Sequence, residues 1–240
     1  MSKSFFIDTT RCTACRGCQI ACKEWHGLPA VSTKQRGSHQ NPPDLNPFNY
    51  KLVRFSEQKV NGTVQWNFFP DQCRHCLDPS CKGAAEAHLS GAIVVDEKSG
   101  AVLYTDDIKK LNAEQCKEVV DSCPYNIPRL NEKTGLLTKC NMCIDRVEAN
   151  MLPACVKTCC TGTMNFGERA DMLKLARERL EALKKTNPQA QLIDPEEVAV
   201  IYLVTEPAKK RASREKRPTE PLSRRTLLSS LVSPLRRLAG

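Results

Sequence analysis

The sequence predicts an α+β fold in which short strands and helices surround metal-binding loops. The 240 residues include 14 cysteines, which fall in tight groups, but only two Trp, four Tyr and seven Phe. Short β-type segments lead into two of the cysteine groups, and an amphipathic helical segment follows the last group. With 40% hydrophobic and 26% charged residues, the composition is that of a folded globular protein.

The net charge of +9 lies almost entirely near the end of the chain. Residues 207–240 hold ten of the 36 basic residues and two of the 27 acidic ones, so the preceding 206 residues are close to neutral. A basic segment can mark a nucleic-acid or membrane partner, but this one does not describe the surface of the folded part. The sequence has neither an apolar run long enough for a transmembrane helix nor a start that resembles a signal peptide.

The first cysteine group is an uninterrupted C-x2-C-x2-C-x3-C run. It contains Cys12, Cys15, Cys18 and Cys22. In bacterial iron–sulfur proteins with this spacing, three thiolates bind one [4Fe–4S] cluster and the fourth binds a neighbouring cluster. Structural zinc takes four ligands from paired C-x2-C knuckles, so such dense spacing favours iron and sulfide over zinc.

The other groups are altered copies of this run. The last group keeps the first and last pairs but has an insertion from Ile144 to Ala154. The group that begins at Cys73 lacks its fourth member, because Ala85 stands at that position. Cys123-Pro124 keeps the ending of the run. Of the three preceding positions, only 116 is still cysteine; 113 and 119 are Ala and Val.

Exchange of fourth cysteines between paired runs assigns twelve ligands to three [4Fe–4S] clusters. Cluster 1 is predicted to bind Cys12, Cys15, Cys18 and Cys159. Cluster 2 is predicted to bind Cys22, Cys140, Cys143 and Cys155. Cluster 3 is predicted to bind Cys73, Cys76, Cys81 and Cys123. A fourth cluster would need positions 85, 113, 116 and 119, so we interpret it as lost, with Cys116 as its remnant. Cys160 is an extra thiol, and a role as a second ligand stays open.

The predicted secondary structure supports these loops. Strands are expected at 5–8 and 66–70, a β-hairpin from 92 to 105, a helix at 171–186 and a buried strand at 198–204. These elements suggest two cross-ligated ferredoxin-like modules with short β-hairpins, a C-terminal helix and strand, and a basic tail. The first module comprises 1–66 and 131–167 and holds two clusters; the second, 67–130, holds one cluster and has lost one. Residues 168–206 form a packing segment, and 207–240 are amphipathic or disordered.

Several motifs resemble the iron–sulfur (beta) subunit of periplasmic tungsten- or molybdenum-dependent formate dehydrogenases, over about residues 3 to 206. They are CTACRGCQIACK at 12–23, GSHQNPPD at 37–44, QCRHC at 72–76, CPYNIPR at 123–129, and LPACVKTC with TGTMNFG at 152–167. The chain departs from the family in having Cys160 in place of Pro and in its long basic tail.

This resemblance implies an electron-transfer subunit of an oxidoreductase complex. Three clusters would relay electrons between a catalytic alpha subunit and an external acceptor such as a c-type cytochrome. The alpha subunit would carry tungsten or molybdenum on two pterins and one further [4Fe–4S] cluster. The resemblance also implies a periplasmic location, reached by export with the alpha subunit; the chain is otherwise expected in the cytoplasm.

Other interpretations stay open at this point. The same chain would suit the beta subunit of another molybdopterin oxidoreductase, such as a thiosulfate, polysulfide or tetrathionate reductase. A zinc-rich nucleic-acid-binding protein is supported only by the cysteine pairs and the basic tail, whose residues 222–240 could instead contact a membrane surface. No residue is expected to act as a general acid, base or nucleophile. Basic residues beside the ligands are expected to be solvated surface charges: Arg16, Lys23, Arg74, Lys82, Lys139 and Lys157.

Overall fold

The computed structural model describes residues 2–60 and 62–205. These residues form short strands and helices in mixed order, so the α+β prediction is confirmed. The 207–240 segment, including the amphipathic stretch expected at 222–240, lies outside the described residues. Within the described part, no helix has the length and apolar character needed to cross a membrane.

A four-stranded sheet forms the centre of the fold, in the order β8, β1, β10, β9. β1 (Lys3–Asp8) runs parallel to β10 (Val200–Val204) and antiparallel to β8 (Met164–Glu168). β9 (Gln191–Ile193) pairs with the outer side of β10. β1 and β10 are predicted from the sequence, whereas β8 and β9 are not. The sheet joins strands from both ends of the described chain.

The two faces of this sheet have different partners, because side chains alternate along a strand. One face packs against α6 (Arg169–Lys184) through Phe6, Ile201 and Leu203. This helix is predicted correctly, except that both of its ends lie two residues earlier. The other face belongs to a core cluster that includes thiols of the first and last cysteine groups. That cluster contains Phe5, Ile7, Val200, Tyr202, Cys18 and Cys155.

Three antiparallel hairpins accompany the sheet. They are β2–β3 (Leu52–Val60 with Thr63–Asp71), β4–β5 (Ile93–Val95 with Val102–Tyr104) and β6–β7 (Arg129–Asn131 with Leu136–Thr138). The β4–β5 hairpin and strand β3 are predicted from the sequence, whereas β2, β6 and β7 are not. β3 leads directly into the loop that carries Cys73.

Five short helices lie close to the cysteines in the chain. They are α1 (Gly17–Trp25), α2 (Ser80–Glu86), α3 (Ala113–Asp121), α4 (Ile144–Glu148) and α5 (Ala154–Lys157). α2 and α3 pack against each other within a second apolar core. α3 starts with a capping box, in which the side chains of Asn112 and Gln115 each accept a hydrogen bond from the other residue's backbone N–H.

Candidate iron–sulfur centres

Four predicted ligands line a single cavity. Cys73 and Cys76 lie in the loop after β3, Cys81 lies in the first turn of α2, and Cys123 follows α3. The space between them, part of which is open to solvent, has a volume of about 350 Å³, and Lys139 also lines it. The structure therefore brings together all four thiols predicted for cluster 3.

The three ligand loops that begin with C-x2-C share a backbone turn. Ala14, His75 and Met142 each lie two positions after the first cysteine of their run, and their φ angles are +55°, +47° and +65°. The N–H groups of His75 and Met142 each donate to the thiol of that cysteine at 3.4 Å. Such left-handed turns aim backbone donors at an anion, so these loops suit an anionic cluster with cysteine ligands.

The thiols predicted for cluster 2 are also neighbours. Burial raises the pKa of Cys22 well above its usual range, and the charges of Cys140, Cys155 and Cys143 raise it further. Burial likewise raises the pKa of Cys155 to about 12. Such thiols stay protonated at neutral pH, so metal binding must release protons. Cys22 lies on α1, far along the chain from its three neighbours.

The thiols predicted for cluster 1 lie nearer the surface. Burial raises the pKa of both Cys12 and Cys18, and the charge of Cys15 contributes in each case. The charge of Cys159 also raises the pKa of Cys18. Although burial opposes it, hydrogen bonds from the residues that follow lower the pKa of Cys159 itself. Cys15 is exposed, whereas Cys18 is buried.

Two core clusters connect the three groups. Cys18 and Cys155 belong to one core cluster, and Cys140 packs against another that contains Cys73. The first pair links the cysteines predicted for clusters 1 and 2, and the second links those predicted for clusters 2 and 3. The three groups therefore follow one another in space, with the second group in the middle.

The positions of the predicted lost cluster are filled by apolar packing. Ala85, Cys116 and Val119 are at most 1% exposed and belong to the core between α2 and α3. The Cys116 thiol donates weakly to the carbonyl oxygen of Leu111 at 3.8 Å. The fourth position, Ala113, is exposed at the start of α3. Three of the four positions are thus ordinary core residues.

Cys160 lies at the surface beside Cys15. A hydrogen bond to the Cys15 thiol raises the pKa of Cys160, and the charge of Cys15 adds to this effect. Both thiols are exposed. The extra cysteine is therefore next to the group predicted for cluster 1, and its role as a second ligand stays open.

Two of the basic residues beside ligands are buried, so the expectation of solvated surface charges is wrong for them. The Arg74 guanidinium is 2.9 Å from the Asp71 carboxylate and lies over the Tyr202 ring. The Lys139 ammonium donates to the Cys140 carbonyl oxygen at 3.0 Å and lies over the Tyr104 ring. Their loops turn back into the core, which sequence position alone does not reveal. The others are partly or fully exposed: Arg16, Lys23, Lys82 and Lys157.

A third buried cation, Lys51, is missing from the sequence-based set of candidate residues. It immediately precedes β2 and is 2% exposed. No cysteine is near it in the sequence, yet its charge partly offsets the increase that burial causes in the pKa of Cys18 and of Cys155. A charged residue inside a core that closes around metal ligands is recognisable only from the fold.

Several buried donors near the cysteines have no hydrogen-bond partner among the described residues. They are Gln72 Nε2, Arg74 Nε and His75 Nε2. His75 Nδ1 accepts from the Val102 N–H at 3.0 Å, so its proton sits on the unpaired Nε2. Buried donors are normally satisfied, and an anionic cluster can accept from them. The residues present therefore fit [4Fe–4S] clusters.

A single bound ion fits this region less well. Within residues 2–60 and 62–205, no three His, Cys, Asp or Glu side chains converge on one point as a single ion requires. The thiols around a [4Fe–4S] cubane bind separate iron atoms, so they surround a cavity instead, as those lining the 350 Å³ cavity do.

Known proteins share these features. Residues 64–169 match the 4Fe-4S dicluster domain family. The formate dehydrogenase 2 subunit beta (cytochrome c-553) of Nitratidesulfovibrio vulgaris is 61% identical over 207 residues, which cover 86% of this chain and 94% of the relative. The formate dehydrogenase subunit beta of Megalodesulfovibrio gigas is 51% identical over 203 residues, which cover 85% of this chain and 94% of the relative.

A more distant relative is the iron-sulfur subunit of the nitrate-inducible formate dehydrogenase of Escherichia coli. It is 37% identical over 199 residues, which cover 82% of this chain and 65% of the relative. Each of these three matches covers 82–86% of this chain. The chain therefore belongs to the iron–sulfur (beta) subunits of formate dehydrogenases, which are electron-transfer subunits with [4Fe–4S] clusters that work with a catalytic alpha subunit.

Proposed function

We propose that this chain conducts electrons along three [4Fe–4S] clusters, between an alpha subunit that oxidises formate and a c-type cytochrome. The alpha subunit would hold tungsten or molybdenum on two pterins and one further [4Fe–4S] cluster. The name of the relative from N. vulgaris includes cytochrome c-553, which supports a cytochrome as the acceptor.

The observation that carries the proposal is the spatial sequence of the three thiol groups. Cys18 and Cys155 share one core cluster, which joins the first group to the second, and Cys140 packs against the cluster of Cys73, which joins the second to the third. This order supports the proposed ligand sets, in which the first group holds cluster 1, the second cluster 2 and the third cluster 3, with the exchanged cysteines Cys159 and Cys22.

The residues of this chain would hold the clusters in position and separate the middle one from water. When bound, a [4Fe–4S] cluster accepts and releases one electron at a time. The middle group is the most enclosed, since Cys22, Cys143 and Cys155 are all buried, whereas the end groups include more accessible thiols. Such burial excludes water from the centre and leaves both ends open to partner proteins.

Iron analysis and paired variants test the ligand sets. After the four Fe of the cluster proposed for the alpha subunit are subtracted, an anaerobically purified complex should contain about 12 Fe from three four-iron clusters in this chain. Cys18→Ser should remove one cluster, whereas Cys160→Ser should keep all three, because Cys160 is not among the twelve ligands. About 16 Fe in this chain after the same subtraction, or stoichiometric zinc in place of its iron, would contradict the proposal.

The periplasmic location is part of the proposal. The chain would cross the membrane folded, together with an alpha subunit that carries the export signal. Removal of that signal from the alpha subunit should retain both subunits in the cytoplasmic fraction. If this chain still reached the periplasm, it would have its own route of export.

A further inference from the structure

Lys51 is a buried cation without a carboxylate partner. Its ammonium donates to Gln72 Oε1 at 2.5 Å and to the Pro70 carbonyl oxygen at 3.5 Å. Within the described parts of the chain, no Asp or Glu forms an ion pair with it. Burying an ammonium without a counter-charge raises the free energy of the folded protein, so we expect negative charge close to Lys51.

Thiols of two different ligand groups lie close to Lys51, since Val53, two residues further on, packs in one core cluster with Cys18 and Cys155. These thiols become negatively charged when they bind clusters. Although burial lowers the pKa of Lys51, the charges of Cys18, Cys155 and Cys140 raise it above the usual lysine value. In turn, Lys51 acts to lower the pKa of thiols in both groups, against the effect of burial. These thiols are Cys12, Cys18, Cys22 and Cys155.

The third group has a different environment. Arg74, beside Cys73 and Cys76, is neutralised by Asp71, which also pairs with Arg54 at 2.6 Å. Lys51 is not among the main influences on the thiols of that group. The positive charge of Lys51 is therefore directed to the first and second groups.

We infer that Lys51 is an internal counter-charge shared by clusters 1 and 2, and that it raises the reduction potential of both. Reduction adds a negative charge to a cluster, and a fixed positive charge in a buried, weakly screening environment stabilises the reduced form. Because one ammonium acts on both clusters, it raises their two potentials together. The inference rests on the ligand sets proposed above.

Lys51→Met in the intact complex tests this role through an anaerobic redox titration followed by electron paramagnetic resonance. Two midpoint potentials should fall together, with a change of about tenfold in each reduction equilibrium, which is 59 mV for one electron. Lys51→Arg should keep both potentials close to the wild-type values. Lys157→Met is the matched control: it removes an equal charge near the same ligands, but from an exposed and well-screened site.

A second variant covers the case in which Lys51→Met loses clusters. Gln72→Glu places a carboxylate of the same shape against the ammonium, so it cancels the charge while the lysine stays in place. The same two potentials should fall, and that of cluster 3 should fall with them, because Gln72 directly precedes Cys73. If both variants keep their iron and shift these potentials no more than Lys157→Met does, the inference is overturned. The iron count and Cys18→Ser test the ligand sets separately, so the two failures are distinguishable.

Discussion

Two adjacent sites in the middle of the chain, one retained and one lost, show what a cluster site requires. At the retained site, four thiols surround a cavity of about 350 Å³. At the lost site, Ala85, Cys116 and Val119 are buried in an apolar core between α2 and α3. Cys81 of the retained site packs against that same core. An apolar core can thus replace a cluster while its neighbour keeps its ligands.

The two sites also differ in backbone. The loop from Cys73 has a left-handed turn at His75, whose N–H donates to the Cys73 thiol. The corresponding segment of the lost site is the regular helix α3, with a capping box at its start. The lost site therefore lacks both most of its thiols and the backbone turn that directs N–H donors to sulfur.

The largest expected effect comes from a ligand of the retained site. Cys123→Ser should remove cluster 3 and lower the iron content by about 4 of 12 Fe. The emptied cavity lies against the core of α2 and α3, so the apparent temperature of anaerobic unfolding should also fall. Iron analysis and visible absorbance measure both results.

Cys116→Ser is the matched control at the lost site. Its thiol is buried but makes only a weak hydrogen bond to the Leu111 carbonyl. Iron should stay at about 12 Fe. A loss of iron in this variant would show that Cys116 is a ligand and that the two sites are wrongly distinguished.

A smaller decrease in stability is expected when the apolar packing at the lost site is truncated. Val119→Ala removes buried methyl groups and should cost about 2 kcal/mol. For a chain of this size, that corresponds to a decrease of about 4–8 °C in the unfolding temperature. Val64→Ala, on the exposed part of β3, should have little effect. Equal decreases in unfolding temperature for the two variants would mean that the α2–α3 core contributes no more to stability than an exposed strand position does.

The sequence predicts the thiol groups better than their surroundings. Cysteine spacing requires only local geometry, and the structure brings together all three predicted groups. Lys51 and the burial of Arg74 depend on how distant segments close around the ligands, and no local pattern carries that information. β2 is different: the Asn61-Gly62 pair between two strand-like segments is a hairpin signal that was available in the sequence.

Removal of the cap at the start of α3 should lower the unfolding temperature by a still smaller amount. Asn112→Ala removes the side chain that accepts the Gln115 N–H, which should cost about 1 kcal/mol, or about 2–4 °C in unfolding temperature. Iron content should not change. Lys117→Ala, on the exposed side of the same helix, is the control and should leave the temperature almost unchanged. If Asn112→Ala lost iron, α3 would support the retained cluster directly.

The smallest change, in this case in iron content, is expected when the missing cysteines are restored. A chain with Ala85→Cys, Ala113→Cys and Val119→Cys, together with Cys116, has a complete set of thiols for the lost cluster. Iron should nevertheless stay at about 12 Fe. In the working loops, the residue two positions after the first cysteine is left-handed and, at His75 and Met142, its N–H donates to that thiol.

The residue at the corresponding place in the lost site is Gln115. Its N–H donates instead to the Asn112 side chain at 3.0 Å, as part of the capping box that starts a regular helix. The restored thiols would therefore lie on a helix and beside a filled core, without the turn that directs a donor to sulfur. An increase to about 16 Fe would show that thiols alone define the site and that the backbone adapts to the cluster.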